Sequence, residues 1–291
     1  MTLPRILLTG KNGQVGFELC RTLSPLGTIT AVDVEDCDLT DPAAIERLVD
    51  EVRPDMIVNP AAYTAVDRAE SEKEIAHAIN ATAPGILAAA AARRDALMVH
   101  FSTDYVFDGS GTAPYRESDP TNPVSAYGAT KLAGEKAVQQ SGARHLIFRL
   151  SWVYGTRGAN FLLTMQRLAN EREELNIVND QIGSPTWCRT IAESVALILA
   201  QNQKAPITQN GIYHMSAASQ TSWYDFAKSI FDLSPDKNKF KLKAVNPIPT
   251  SAYPTPAKRP AYSVLSNDSL THTFGIRLPD WQTQLKQALE I

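Results

Sequence analysis

Cysteine is scarce in this chain of 291 residues. Cys20, Cys37 and Cys188 lie far apart, are odd in number and form no C-x-x-C pair. That excludes a disulfide framework and a thiolate zinc site, and suits a reducing compartment. A surplus of positive charge is also missing. Lysine and arginine total 28 against 31 aspartates and glutamates, for a net charge of −3. Such a balance offers no basic footprint for nucleic acid or an anionic membrane. No stretch reaches the ~18 consecutive apolar residues that span a bilayer. The opening M-T-L-P-R-I-L-L-T-G lacks the basic region and cleavage pattern of a signal peptide. Internal repeats and low-complexity linkers are absent as well. The expectation is a soluble, cytoplasmic, globular chain, 44% hydrophobic and long enough to bury a large core.

What is present is alternation. Strand-length apolar runs at 5–9, 29–33, 56–59, 97–102 and 145–150 are separated by helical patterns. The helices are predicted at 14–24, 42–52, 75–93 and 125–140. Strands alternating with helices predict an α/β protein, a Rossmann-like doubly wound parallel sheet with helices on both faces. From about 151 the order becomes mixed, and prolines crowd residues 247–260, which excludes a central strand or helix there and predicts an ordered, extended loop. Residues 1–158 are therefore read as a dinucleotide-binding domain. Residues 159–291 are read as a smaller mixed α/β substrate-binding lobe, interleaved with it through a helix near 187–201 that returns to the main sheet.

The first strand runs into Gly10-Lys11-Asn12-Gly13-Gln14-Val15-Gly16, a G-x-x-G-x-x-G loop that opens the first helix. Glycines let the backbone turn tightly and approach a pyrophosphate, and the helix start offers free N–H groups. Asp33 follows Gly13 by 20 residues, at the end of the second strand, where a carboxylate can accept from the adenosine ribose diol. Asp33, Glu35, Asp36 and Asp38 should repel a 2′-phosphate and favour NADH, whereas Lys11 could offset them for NADPH; the choice stays open. Asp38 and Leu39 are placed to flank the adenine.

Tyr127 and Lys131 stand at i and i+4 on a predicted helix, so their side chains meet on one face. A free phenol titrates near ~10, and a nearby ammonium lowers that value, which would fit Tyr127 for acid–base work. Ser102-Thr103-Asp104 ends the fourth strand, where open α/β sheets bind ligands, and a hydroxyl there can hold a substrate carbonyl beside the phenol.

With these motifs in order, the chain resembles the extended short-chain dehydrogenase/reductases, and within them the dTDP-4-dehydrorhamnose reductase family. The matching segments are G-K-N-G-Q-V-G at 10–16, V-N-P-A-A-Y-T-A-V-D-R-A-E at 58–70 and F-S-T-D-Y-V-F-D-G at 101–109. They continue as Y-G-A-T-K-L-A-G-E at 127–135, R-L-S-W-V-Y-G at 149–155, N-D-Q-I-G-S-P-T at 179–186 and A-Y-P-T-P-A-K-R-P at 252–260. The resemblance implies reduction of the C4 ketone of dTDP-4-dehydro-6-deoxy-L-mannose to dTDP-L-rhamnose by NADPH or NADH. It implies Tyr127 as proton donor, Lys131 tuning it and holding the nicotinamide ribose, and Thr103 bonding the carbonyl. It also implies Ala62, Tyr63 and Thr64 along the cofactor, Asp104, Tyr105 and Trp152 around the sugar, and Asn160 and Arg259 at the nucleotide diphosphate.

Two departures matter. Related dehydratases place an Asp-Glu acid pair after the strand-end threonine; here Thr103-Asp104 is followed by Tyr105, which favours simple reduction over dehydration. Some reductases of the family resemble one another in a glutamate cluster that binds magnesium at a dimer interface. Glu18 fits that cluster, but Arg189 stands at the second position, and a guanidinium is no metal ligand. No metal and no magnesium-bridged interface are expected, and a homodimer is left open. The alternatives are a reductase or epimerase of another nucleotide-activated deoxysugar, and a non-catalytic regulatory homologue. The intact Thr103, Tyr127 and Lys131 argue against the last.

Overall fold

The computed structural model describes residues 3–204 and 210–290. Its first half is β1 (Arg5–Thr9), α1 (Gln14–Thr22), β2 (Thr28–Val32), α2 (Pro42–Val52), β3 (Met56–Asn59), α3 (Lys73–His77), α4 (Ala83–Arg93), β4 (Leu97–Thr103), α5 (Ala126–Gln140) and β5 (Arg144–Leu150). The second half is β6 (Val153–Tyr154), α6 (Phe161–Glu171), β7 (Glu174–Val178), β8 (Ile182–Gly183), β9 (Thr186–Trp187), α7 (Cys188–Lys204), β10 (Gly211–His214), β11 (Thr221–Ser222), α8 (Trp223–Leu233), β12 (Ala244–Ile248), α9 (Asp268–Phe274) and α10 (Trp281–Ala288).

Local chemistry sets the helix starts. Pro42 opens α2 with its φ already helical, while Asp41 accepts from the Ala43 N–H at 2.8 Å. Ser125 caps α5 by accepting from Gly128 N–H at 3.2 Å. One helix departs from the predicted pattern. The run read as a single helix over 75–93 starts at Lys73, and a π-helical turn at Ala78–Thr82 joins α3 to α4. This 21-residue span is long and apolar enough to cross a bilayer, yet half of its most apolar window is buried within the protein.

Six strands form one parallel sheet in the order β2-β1-β3-β4-β5-β10. Side chains alternate across it. Ile6, Leu8, Val58, Val99 and Phe148 face α1, α7 and α9. Leu7, Ile57, Met98 and Ile147 face α2, α4 and α5. Burial on both faces explains why these strands read as unbroken apolar runs. The chain leaves β1 toward β2 on one side and returns to β3 on the other, so a crevice opens beyond the carboxyl ends of β1 and β3.

A second core, with Leu162, Met165, Phe226, Ile230, Trp281 and Leu285, is built by α6, α8 and α10. Two returns tie it to the sheet: α7 packs across α1, and β10 pairs with β5 as the sixth strand. In the proline-rich stretch, Pro247 lies inside β12, opposite Ile177 of β7. A two-stranded pair has only edges, and an edge tolerates a residue without an N–H.

Candidate active site

The β1–α1 loop is built for close approach. Gly10 has φ +64°, and a Cβ on it would lie 2.9 Å from Ala61 Cα. A Cβ on Gly16 would fall 2.0 Å from the Gly10 carbonyl oxygen. α1 begins without a side-chain cap, so the free N–H groups of its first turn, and the positive end of its dipole, stand at the loop. A cleft of about 830 Å³ runs from this loop across the ends of the strands, lined by Gly10, Asn12, Gly13, Gln14, Val15 and Gly16. Among the described residues, the buried atoms Gln14 Oε1 and Ser102 Oγ have no hydrogen-bond partner. Glycine cradle, helix end and unpaired buried polar atoms fit a dinucleotide.

At the far end of the cleft, Asp33 accepts from Asn12 N–H at 2.9 Å and from Val34 N–H at 2.8 Å. Asp38 and Leu39 line the same end. Lys11 does not reach the cleft: its ammonium lies 2.5 Å from Asp36 and 3.5 Å from Glu35. Its charge is paired with those carboxylates in this structure. Ala62 and Thr64 line the wall after β3, but Tyr63 turns away. The Tyr63 hydroxyl donates to Glu72, and its N–H donates to Asn80 Oδ1 at 2.8 Å. Asn80 sits on the π-helical turn and also donates to Tyr63 O and to Thr130 Oγ1, each at 3.1 Å. It thus braces the cofactor wall against α5. No helical periodicity singles out such a residue.

Tyr127, Lys131, Thr103 and Asp104 meet at the centre of the cleft. Lys131, from α5, is 2% exposed and donates to Phe101 O at 2.6 Å. Burial lowers its pKa to about 8, against the opposing pull of Glu135. The lowering expected for Tyr127 is not what the fold produces. Burial pushes its phenol well above the ordinary range, Asp104 and Tyr105 add to this, and a hydrogen bond with Thr103 opposes it. The i, i+4 spacing put the ammonium on the right face, but its proton is aimed at a backbone carbonyl.

The Thr103 hydroxyl donates to Asp104 Oδ1 at 3.0 Å and accepts from Tyr105 N–H at 3.2 Å. A carboxylate only accepts, so in that bond the proton comes from Thr103. Asp104 also accepts from Ser151 Oγ at 2.8 Å, and both of its oxygens are thereby engaged within the protein. Asp104 thus supports Thr103 and lines the cleft. Burial raises the Asp104 pKa from 3.8 to about 6, with Ser263, Ser151 and Thr103 opposing.

A stability prediction follows from that shift. The folded pKa of this acid is raised, so its contribution is fully present below pH 3.8 and is lost as pH rises through about 6. The penalty at neutral pH is about 3 kcal/mol. Asp104→Asn should therefore gain stability relative to the wild type between pH 4 and pH 8. Thermal melts across that range test it; a stability difference independent of pH would refute the burial account.

The remaining sequence candidates sort by what their polar groups do. The Tyr105 ring stands edge-on to Tyr127, centroids 5.6 Å apart, and its hydroxyl accepts from Arg259 Nη1 at 3.2 Å. Arg259 also pairs with Asp67 at 2.9 Å, and Asp67 accepts from Ala257 N–H at 3.2 Å. Asp67 thus anchors the proline-rich loop over the cleft, a role that its place in the sequence does not reveal. Asn160 lines the cleft, but its side chain caps α6 at Leu163 N and donates to Gly155 O and Arg157 O. It holds the 155–160 loop in shape, and both ends of its amide are engaged there. Trp152 lines the cleft, stacked on Trp223, a residue not singled out from the sequence. Away from the cleft, Arg189 pairs with Glu193 at 3.0 Å and lies within electrostatic range of Glu18.

Known proteins are similar to this chain in sequence and in fold. The model of the RmlD substrate binding domain family matches residues 4–291. A dTDP-4-dehydrorhamnose reductase of Burkholderia thailandensis is 51% identical over 284 residues, covering 96% of this chain and 95% of that protein. That of Escherichia coli is 47% identical over 289 residues, covering 98% and 96%. The crystal structure of a dTDP-4-dehydrorhamnose reductase from Clostridium acetobutylicum superposes with a TM-score of 0.91 at 40% identity, covering 98% of each chain. One from Bacillus anthracis, in complex with NADP, superposes with a TM-score of 0.89 at 36% identity, covering 99% of each. The family match runs nearly end to end, and the chain belongs to the RmlD substrate binding domain family.

Proposed function

We propose that this protein reduces the C4 ketone of dTDP-4-dehydro-6-deoxy-L-mannose to dTDP-L-rhamnose. NADH or NADPH, when bound along the β1–α1 loop, supplies the hydride. The observation that carries this reading is the meeting of half-buried Tyr127 with buried Lys131 and Thr103, between the glycine cradle and a cleft wall of Trp152, Trp223 and Arg259. Agreement with the dTDP-4-dehydrorhamnose reductases over nearly the whole chain supports the substrate. Three free thiols suit a cytoplasmic setting.

In the mechanism, Tyr127 delivers its proton to the ketone oxygen. Burial keeps the phenol protonated throughout the physiological range, so the donor is loaded. Thr103 holds the phenol oxygen in place, and Asp104 and Ser151 hold Thr103. Lys131, on the same face of α5, is the residue that would hold the nicotinamide ribose of a bound cofactor. Arg259, held by Asp67, offers a guanidinium at the cleft for the nucleotide diphosphate. Tyr105 stands where the glutamate of the dehydratases' acid pair would be, which favours reduction without dehydration.

The test is consumption of NADH and NADPH by the purified protein, with the keto sugar made in the same tube. Sugar-dependent loss of cofactor and formation of dTDP-L-rhamnose are the expected results. Cofactor binding without consumption would overturn the reductase reading.

A further inference from the structure

Trp152 is held in an unusual backbone conformation. It follows β5 at the carboxyl end of the sheet with φ +45°, a region that a bulky side chain rarely occupies. Such strain persists only where the surroundings over-determine it, and it gathers at ligand clamps. Here the surroundings are named residues. Trp223 lies face to face with Trp152, ring centroids 3.5 Å apart and planes within 2°. Gly183 closes the other approach: a Cβ there would lie 2.3 Å from Trp152 Cε2 and 2.4 Å from its Nε1.

Both restraints come from one pair of strands. β8 and β11 pair antiparallel, with Gly183 opposite Thr221, two residues before Trp223. Ser222 caps α8 by accepting from Asp225 N–H at 3.0 Å, which makes Trp223 the first residue of that helix. Phe161, the first residue of α6, backs Trp223 with centroids 4.5 Å apart. The indole pair therefore joins the end of the main sheet to the core of the second lobe, and both indoles line the cleft that holds Tyr127 and Thr103.

We propose that Trp223 is a positioning residue for the sugar: it pins Trp152 in the left-handed conformation, and the stacked indoles form the apolar wall of the cleft against which the substrate's hexose ring is held beside Tyr127. This rests on the nucleotide-sugar reading above. Gly183 and Trp223 cover the two faces of Trp152, so the stack meets the sugar's C–H groups with its edges, and such a wall orients a ring without using the polar groups needed for chemistry. Trp223 acts through Trp152 and need not approach the reacting carbon.

The test compares Trp223→Ala, Trp223→Phe and Gly183→Ala with the wild type. Trp223→Ala is expected to raise KM for the keto sugar about ten- to a hundredfold, the range for losing one pocket contact. Its kcat should change less than about threefold, and its affinity for NADH should be unchanged. Trp223→Phe, which restores a ring, should recover most of the KM. Gly183→Ala displaces Trp152 without replacing either indole and should reproduce the KM defect, so the test stands even if Trp223→Ala folds poorly. Near-UV circular dichroism supplies a separate signature: Trp152→Phe and Trp223→Phe should abolish the same coupled indole band. Wild-type KM in both Trp223→Ala and Gly183→Ala, or loss of thermal stability with KM unchanged, would overturn the proposal. Binding of dTDP-L-rhamnose, followed by tryptophan fluorescence without turnover, separates this proposal from the reductase reading. Binding that weakens in Trp223→Ala upholds the wall even if the wild type reduces nothing. Binding unaffected by Trp223→Ala removes the wall even if reduction proceeds.

Discussion

Tyr127→Phe is expected to lower kcat at least about a thousandfold, within the range for removing a general acid, and to leave NADH affinity unchanged. The substitution takes away one hydroxyl and nothing else of consequence. The ring keeps its edge-on contact with Tyr105, and α5 keeps its Ser125 cap. The only bond lost is that with Thr103, so stability should change by no more than about 1 kcal/mol. Steady-state kinetics with the keto sugar, beside a fluorescence titration of NADH, measures both quantities. Turnover within tenfold of the wild type would remove Tyr127 as the donor and turn attention to Asp104, which is buried beside it and has a pKa raised to about 6.

The second large effect concerns cofactor binding. Gly16→Ala places a methyl group 2.0 Å from the Gly10 carbonyl oxygen, far inside van der Waals contact, and the atom it meets is backbone. The loop must open, which moves the helix end away from any pyrophosphate. NADH affinity should fall at least about a hundredfold, with about 1–3 kcal/mol of stability lost to overpacking. Gly13→Ala is the control for stability, because its Cβ meets only Gly10 O, at 3.3 Å. Isothermal titration with NADH and thermal melts of both variants separate the effects. If Gly16→Ala binds NADH as the wild type does, the loop is not the phosphate cradle.

Much of this protein is written in local patterns. Strand and helix periods, the Asp41-Pro42 and Ser125 helix starts and the glycine spacing all act within a few residues. The sheet could therefore be read from the sequence, and so could the shared face of Tyr127 and Lys131. The π-helical turn was not legible, because its sequence is as apolar and alanine-rich as the helices around it and differs only in what Asn80 reaches. Nor was the orientation of Tyr63 or Lys11, since each neighbours both the cleft and a cluster of carboxylates, and the spacing does not say which one wins.

By itself, then, the sequence determined the α/β architecture, the cradle at the first turn and the set of groups available for proton delivery. Those properties depend on spacing along the chain. The tertiary structure alone decided how the groups are used. Arg259 finds Asp67 across 192 residues, Trp152 is pressed between Gly183 and Trp223, and the Thr103 proton goes to Asp104. Burial, a property of the whole fold, raised Tyr127 and Asp104 and lowered Lys131. Proton positions and pKa values follow from which groups are desolvated together, and no interval in the sequence encodes that.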